Sequence, residues 1–195
     1  VATGGLDNTQ GKIASHSNAF LDIGGFVANR AGTIQAGKDT PSTLALRSAG
    51  GVDNSAGGTI GSLGSLAFSS AGLLQNMGGN IVSNNDVSLL SSGVDNAGGN
   101  ISGNAVSIES RDNAGNWQAI HNQGGSIAAN QALTIDSGKL DNSTAGSITT
   151  VLPGSTLTAR SHGRDIVNLQ SGSKGGFLAG GSLQIDTRGG RLDNG

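Results

Sequence analysis

The sequence predicts an all-β chain wound as a solenoid, with about three short strands per coil and eight to nine coils, residues 1–195 forming one segment. Three observations predict it. A unit of the form apolar-x-Asn recurs nine times, its asparagines 20 to 26 residues apart. An isoleucine and then an apolar-x-apolar pair follow most copies in the same order. The segments between them are short runs of Gly, Asn and Ser, and no stretch carries an apolar stripe of helical period and length.

The first element of each coil is apolar-x-Asn, as in Leu6-Asp7-Asn8, Val52-Asp53-Asn54 and Val94-Asp95-Asn96. Alternation along a strand sends the apolar residue and the asparagine inward and the middle residue outward. Stacked strands stand about 4.8 Å apart. At that spacing one amide can both donate to and accept from the next, which predicts a ladder of Asn8, Asn29, Asn54, Asn76, Asn96, Asn122, Asn142, Asn168 and Asn194. Asparagine also tolerates the left-handed backbone of a corner, and the Gly-Gly that often follows permits positive φ.

The second element is x-Ile-x, five or six residues further on, at Ile13, Ile34, Ile60, Ile81, Ile101, Ile127 and Ile148. The third is the alternating pair: Leu21/Ile23, Leu44/Leu46, Leu66/Phe68, Val87/Leu89, Val106/Ile108, Leu133/Ile135 and Leu183/Ile185, with Leu157/Ala159 a weaker copy. One coil buries too few apolar side chains to offset the ordering of its own backbone, so coils must stack. A hairpin sandwich has no need of one superimposable motif repeated nine times, and the G-G-x-G-x-D calcium repeat is absent from the sequence.

Composition narrows the function classes. Glycine supplies 35 of 195 residues and charged residues only 12%. The net charge of −2, without a basic run, argues against a nucleic-acid partner. No stretch approaches 18 continuous apolar residues, so no segment reads as a membrane-spanning helix. The absence of cysteine excludes disulfides and thiolate metal sites. A start at Val1 is read as that of an excised or processed fragment.

The outward middle position of the first element reads Asp7, Ala28, Asp53, Gln75, Asp95, His121, Asp141, Val167, Asp193, with aspartate in alternate coils only. Carboxylates in adjacent coils would repel by about 3.5 kcal/mol at an effective dielectric of 20. Skipping a coil moves them to roughly 9.6 Å, where salt screens most of that repulsion. An ancestral duplication of a two-coil unit produces the same pattern without electrostatics.

The strings "GGLDNTQGKI", "GGVDNSAGGTI", "GVDNAGGNI" and "GKLDNSTAGSI", each followed by an alternating strand, resemble the haemagglutinin repeats of filamentous haemagglutinin and related exoproteins of bacterial two-partner secretion, contact-dependent growth-inhibition proteins included. The resemblance runs the length of the chain. It implies a right-handed parallel β-helix, an interior slice of a long secreted or cell-surface filament. It also implies export through an outer-membrane partner transporter and a surface receptor or glycan on a host or neighbouring cell. The family's Arg-Gly-Asp tripeptide is absent; the nearest string is Gly163-Arg164-Asp165.

Function is therefore expected to be structural or adhesive, with no catalytic residues, metal or cofactor. A polysaccharide-cleaving β-helix is the enzymatic rival, since the outward aspartates fall near the carboxylate separation of inverting glycosidases. That spacing recurs along the whole chain, which marks it as repeat geometry. A binding module is the other rival. Solenoids place insertions on one face, often the binding face. The insertion "ESRDNAGNWQAIHN" carries the single tryptophan, Trp117, and Arg111. The bulge "ARSHGRDIVNLQSGSKGGF" carries Arg160, His162, Arg164 and Lys174, the most basic patch of the chain. Exposed aromatics stack on sugars and anchor interfaces, so Trp117, Arg111, Arg160 and Arg164 are the candidate contacts; a plug over the coil edge is the competing role for Trp117.

Overall fold

The computed structural model describes residues 4–173 and 175–195, and Lys174 of the basic bulge lies outside them. The described chain is a right-handed parallel β-solenoid of about eight turns without a helix. Every strand pairing is parallel, each strand bonding to its counterpart one coil away. Among the described residues only an isolated antiparallel bridge, Arg111 to Trp117, departs from this.

Three ladders form the walls. The apolar-x-Asn elements supply two-residue strands, from Leu6–Asp7 to Leu192–Asp193, stacked as one nine-stranded sheet. The x-Ile-x elements supply mostly four-residue strands, such as Thr59–Ser62 and Asn80–Ser83. The apolar pairs supply five-residue strands, such as Leu66–Ser70 and Val87–Ser91. In two coils the second and third strands fuse through their corner into Asn100–Ser110 and Ser126–Asp136, which joins those two ladders into one sheet of 14 strands.

The core is a set of columns running along the axis. Val27, Val52, Leu74, Val94, Ile120, Leu140 and Ile166 make one, each fully buried. Ile34, Ile60, Ile81, Ile101, Ile127 and Ile148 make a second. Phe177 continues that isoleucine column, in register with Ile148, a position the isoleucine pattern does not mark.

The first coil corrects the expected pairing of the third element. Ala19 stands opposite Leu44 and Leu21 opposite Leu46, while Ile23 stands opposite Ser48. The pair is therefore Ala19/Leu21, two residues earlier than Leu21/Ile23. A slip of two preserves the inward face, so alternation alone does not distinguish the registers.

Ile23 heads a column that sequence reading missed. Two places beyond the apolar pairs of the next six coils stand Ser48, Ser70, Ser91, Ser110, Ser137 and Ser161, all buried, and the half-buried Thr187 follows the last pair. Their hydroxyls serve the carbonyls of the corner: Ser70 Oγ donates to Gly72 O at 2.6 Å and Ser91 Oγ to Gly93 O at 2.6 Å. The sharp corner exposes carbonyls that no strand can satisfy, and a short hydroxyl side chain reaches them.

Candidate functional site

Two constructions stand out: the polar column at the first corner and a cluster on the outer edge of the later coils. The first is built from the nine asparagines. Each side chain donates to the next, Asn8 Nδ2 to Asn29 Oδ1 at 2.6 Å, and so on through Asn29–Asn54, Asn54–Asn76, Asn76–Asn96, Asn96–Asn122 and Asn122–Asn142 at 2.7 Å. Asn142–Asn168 follows at 2.9 Å and Asn168–Asn194 at 2.6 Å. The second N–H of an interior amide is shared between carbonyls of its own and the next coil, as Asn29 Nδ2 with Gly32 O at 3.2 Å and Thr59 O at 3.0 Å. Among the described residues no buried side-chain N or O lacks a partner.

The backbone around the column differs from the expectation. The asparagines do not take positive φ. That conformation falls two or three residues later, at Gln10, Ala31, Gly57, Gly78, Gly98 and Gly124. The second glycine of the Gly-Gly pair has another reason to be there. A Cβ on Gly79 would overlap the carbonyl oxygen of Asn54 in the coil before it, and the same holds for Gly58 over Asn29, Gly99 over Asn76 and Gly125 over Asn96, as well as for Gly32, which follows Ala31, over Asn8. The coils touch backbone to backbone at this corner, which is what lets the amides meet.

The middle residues also sit differently from the expected solvated row. Asp53 and Asp141 are only 9% and 8% exposed. Arg30 lies 3.7 Å from Asp53, and Gln123 donates to Asp141 at 3.1 Å with Lys139 at 3.8 Å. Four of the five carboxylates also accept the N–H two residues ahead: Thr9 to Asp7 at 2.9 Å, Ser55 to Asp53 at 3.0 Å, Ala97 to Asp95 at 3.1 Å and Ser143 to Asp141 at 3.2 Å. Thr9 holds the Asp7 carboxyl below the usual aspartate range, through its side chain first and its N–H second. Aspartate is thus a turn-forming residue here as well as a charge.

The alternation can still be tested. Gln75 stands in register between Asp53 and Asp95. Gln75→Asp is expected to lower the denaturation midpoint at low salt and to recover most of the loss near 1 M salt. Equal loss at both salt concentrations would leave the duplication as the explanation.

The second construction is the edge cluster. Between Ser110 and Gln118 the chain leaves the coil as a small hairpin, Gln118 N–H closing on Ser110 O at 2.8 Å. Asp112 organises it, accepting from Ala114 N at 2.9 Å, Asn116 N at 2.8 Å, Asn116 Nδ2 at 3.0 Å and Gln118 Nε2 at 3.1 Å. The Asn116 side-chain amide first, then the Asn116 N–H, hold this carboxyl below the ordinary aspartate range. Because the folded value is depressed, this support is complete above the ordinary range and is lost as pH falls through the lowered value. Hydrogen exchange of the Asn116 amide, compared with that of Ile108, is expected to rise selectively in strong acid; parallel acceleration of both would refute a local role.

Trp117 ends the hairpin, half-buried, and stacks on His162 with ring centroids 3.7 Å apart and planes at 7°. His162 Nε2 lies 2.9 Å from Asp136 Oδ1, and Arg160 Nη1 lies 3.3 Å from the other oxygen of Asp136. Arg188 Nη1 approaches His162 Nδ1 at 3.4 Å. The indole thus reaches past the coil of Gly138 to the one beyond. Trp117, Arg160 and Arg164 all belong to this edge, and Trp117 and Arg164 line a common cleft with Gly138, Lys139, Gly163 and Asp165. Arg111 does not join them. It pairs with Glu109 and faces a separate groove with Asp22 and Arg47. The His162 contact was invisible in sequence, because it depends on the heights of two insertions. Among the described residues no group of three or more acidic or histidine side chains is placed to hold a metal.

No family model matches this chain, and neither the curated proteins nor the solved structures include a match to it.

Proposed function

We propose that this chain is a stiff spacer within a large secreted or surface-exposed bacterial exoprotein, holding an adhesive or toxic region away from the cell. The reading is supported by one observation above all: a single hydrogen-bonded asparagine column runs without interruption through every coil. Eight intervals at about 4.8 Å make a rod of roughly 40 Å. Parallel ladders on all three walls resist bending, and sparse charge lets like coils stack closely. The resemblance to haemagglutinin repeats supports the extracellular setting and export through an outer-membrane partner.

The test is deletion of one Asp-to-Asp two-coil unit, residues 53–94, from the full-length exoprotein on the producing cell. The expected result is a filament shorter by roughly 10 Å with its terminal activity retained. Loss of that activity with secretion and filament assembly intact would refute the spacer role.

A further inference from the structure

We propose that the cleft beside Trp117 binds a sugar unit carrying a single carboxylate, with Arg164 as its main anchor. The inference goes beyond the rod reading and does not depend on it. The cleft has a volume of about 450 Å³ and is lined by Trp117, Gly138, Lys139, Gly163, Arg164 and Asp165. Gly138 is required by its neighbour, since a Cβ there would lie 2.9 Å from the Trp117 carbonyl oxygen. Two glycines beside an indole make a flat, open floor of the kind a pyranose ring can lie against.

The charges select the ligand. Among the described residues Arg164 has no carboxylate within ion-pair distance, and Lys139 reaches only Asp141, at 3.8 Å. Asp165 Oδ1 accepts the Arg191 N–H at 2.9 Å, which leaves its second oxygen to accept a hydroxyl. Two cations and one acid match one carboxylate flanked by hydroxyls. A densely sulfated chain fits worse, because it would meet Asp165 and then Asp141 and Asp136 nearby, on a protein of net charge −2. A peptide carboxylate would leave the hydroxyl acceptor unused.

The turn that presents Arg164 is left-handed and held in place. His162 has φ of 42° and Gly163 of 86°. His162 is fixed by Asp136 at 2.9 Å and by the Trp117 stack, and Ser161 Oγ donates to Arg164 O at 2.5 Å. A turn fixed by these contacts lowers the ordering cost of binding. Solvent-exposed ion pairing is weak, so the dissociation constant is expected on the order of 0.1–1 mM.

The single tryptophan, with no tyrosine in the chain, makes intrinsic fluorescence a direct reporter of this cleft. The intact chain is titrated with trigalacturonate and with sialyllactose, by fluorescence and by calorimetry. Saturable binding of either acid is expected and shows which kind of carboxylated sugar is preferred. The trigalacturonate methyl ester, a heparin oligosaccharide and a short peptide with a free C-terminal carboxylate are each expected to bind at least ten-fold more weakly. Arg164→Ala is expected to weaken binding about ten-fold and Lys139→Ala a few-fold, while the remote Arg30→Ala changes nothing. Circular dichroism checks that each variant is folded. No heat or fluorescence change with either acid, equal binding of any control, or an unaffected folded Arg164→Ala variant would each overturn the proposal.

Discussion

Asn76→Ala is expected to destabilise the chain by roughly 2–6 kcal/mol, at about 1–3 for each of the two buried asparagine side chains, Asn54 and Asn96, that lose their link to it. The Asn76 amide donates to Asn96 Oδ1 at 2.7 Å and to Asn100 O at 3.2 Å, and accepts from Asn54 Nδ2 at 2.7 Å. Asn54, Asn76 and Asn96 are fully buried, so water cannot replace the lost links between them. The same substitution at Asn194, which is exposed and accepts one bond from Asn168 at 2.6 Å, is expected to cost far less. Denaturant midpoints of the two variants decide the matter. An Asn76→Ala chain as stable as Asn194→Ala would mean that the column is a by-product of strand stacking rather than a support.

Gly79→Ala and Gly78→Ala, neighbours in one dipeptide, are expected to differ sharply. Gly78 has φ of 63° and open space where a Cβ would go, so alanine there meets only the left-handed penalty, about 1–2 kcal/mol. Gly79 faces the carbonyl oxygen of Asn54, and alanine must push two coils apart. That also stretches the Asn54–Asn76 link, so a loss of roughly 3–5 kcal/mol is expected. Thermal melts of the pair read it out. Equal losses would show that backbone conformation, not contact between coils, selects glycine at both positions.

Much of the fold was legible because a solenoid repeats its errors and its signals alike. The apolar-x-Asn recurrence set the coil length, and alternation set which side chains face inward. Equivalent apolar residues then fall in register, as Leu74 with Val52 and Val94. The serine column was also written in the sequence, two residues past six of the pairs, yet serine in a Gly-rich chain reads as turn composition until its burial is seen. The register of the first coil was not recoverable, because Ala19 is a weaker apolar mark than Ile23 and both lie on one face. The edge cluster was least legible. Trp117 and the arginines were visible as insertions, but the side chain Trp117 would stack on depends on where each insertion folds back. The aspartates illustrate a different gap: alternation suggested charge spacing, while the hydrogen bonds to the N–H two residues ahead are a local fact that any coil can use alone.

The asparagine links all run one way, each side chain donating toward the coil that follows it in the chain. The interior therefore has a sense of direction, like a stack of arrows. At this column any cut across the rod presents side-chain N–H groups on one face and side-chain carbonyl oxygens on the other. Two severed pieces can rejoin tip to tail, whereas matching faces would set donor against donor, so an assembly of such segments inherits a single polarity from its amides.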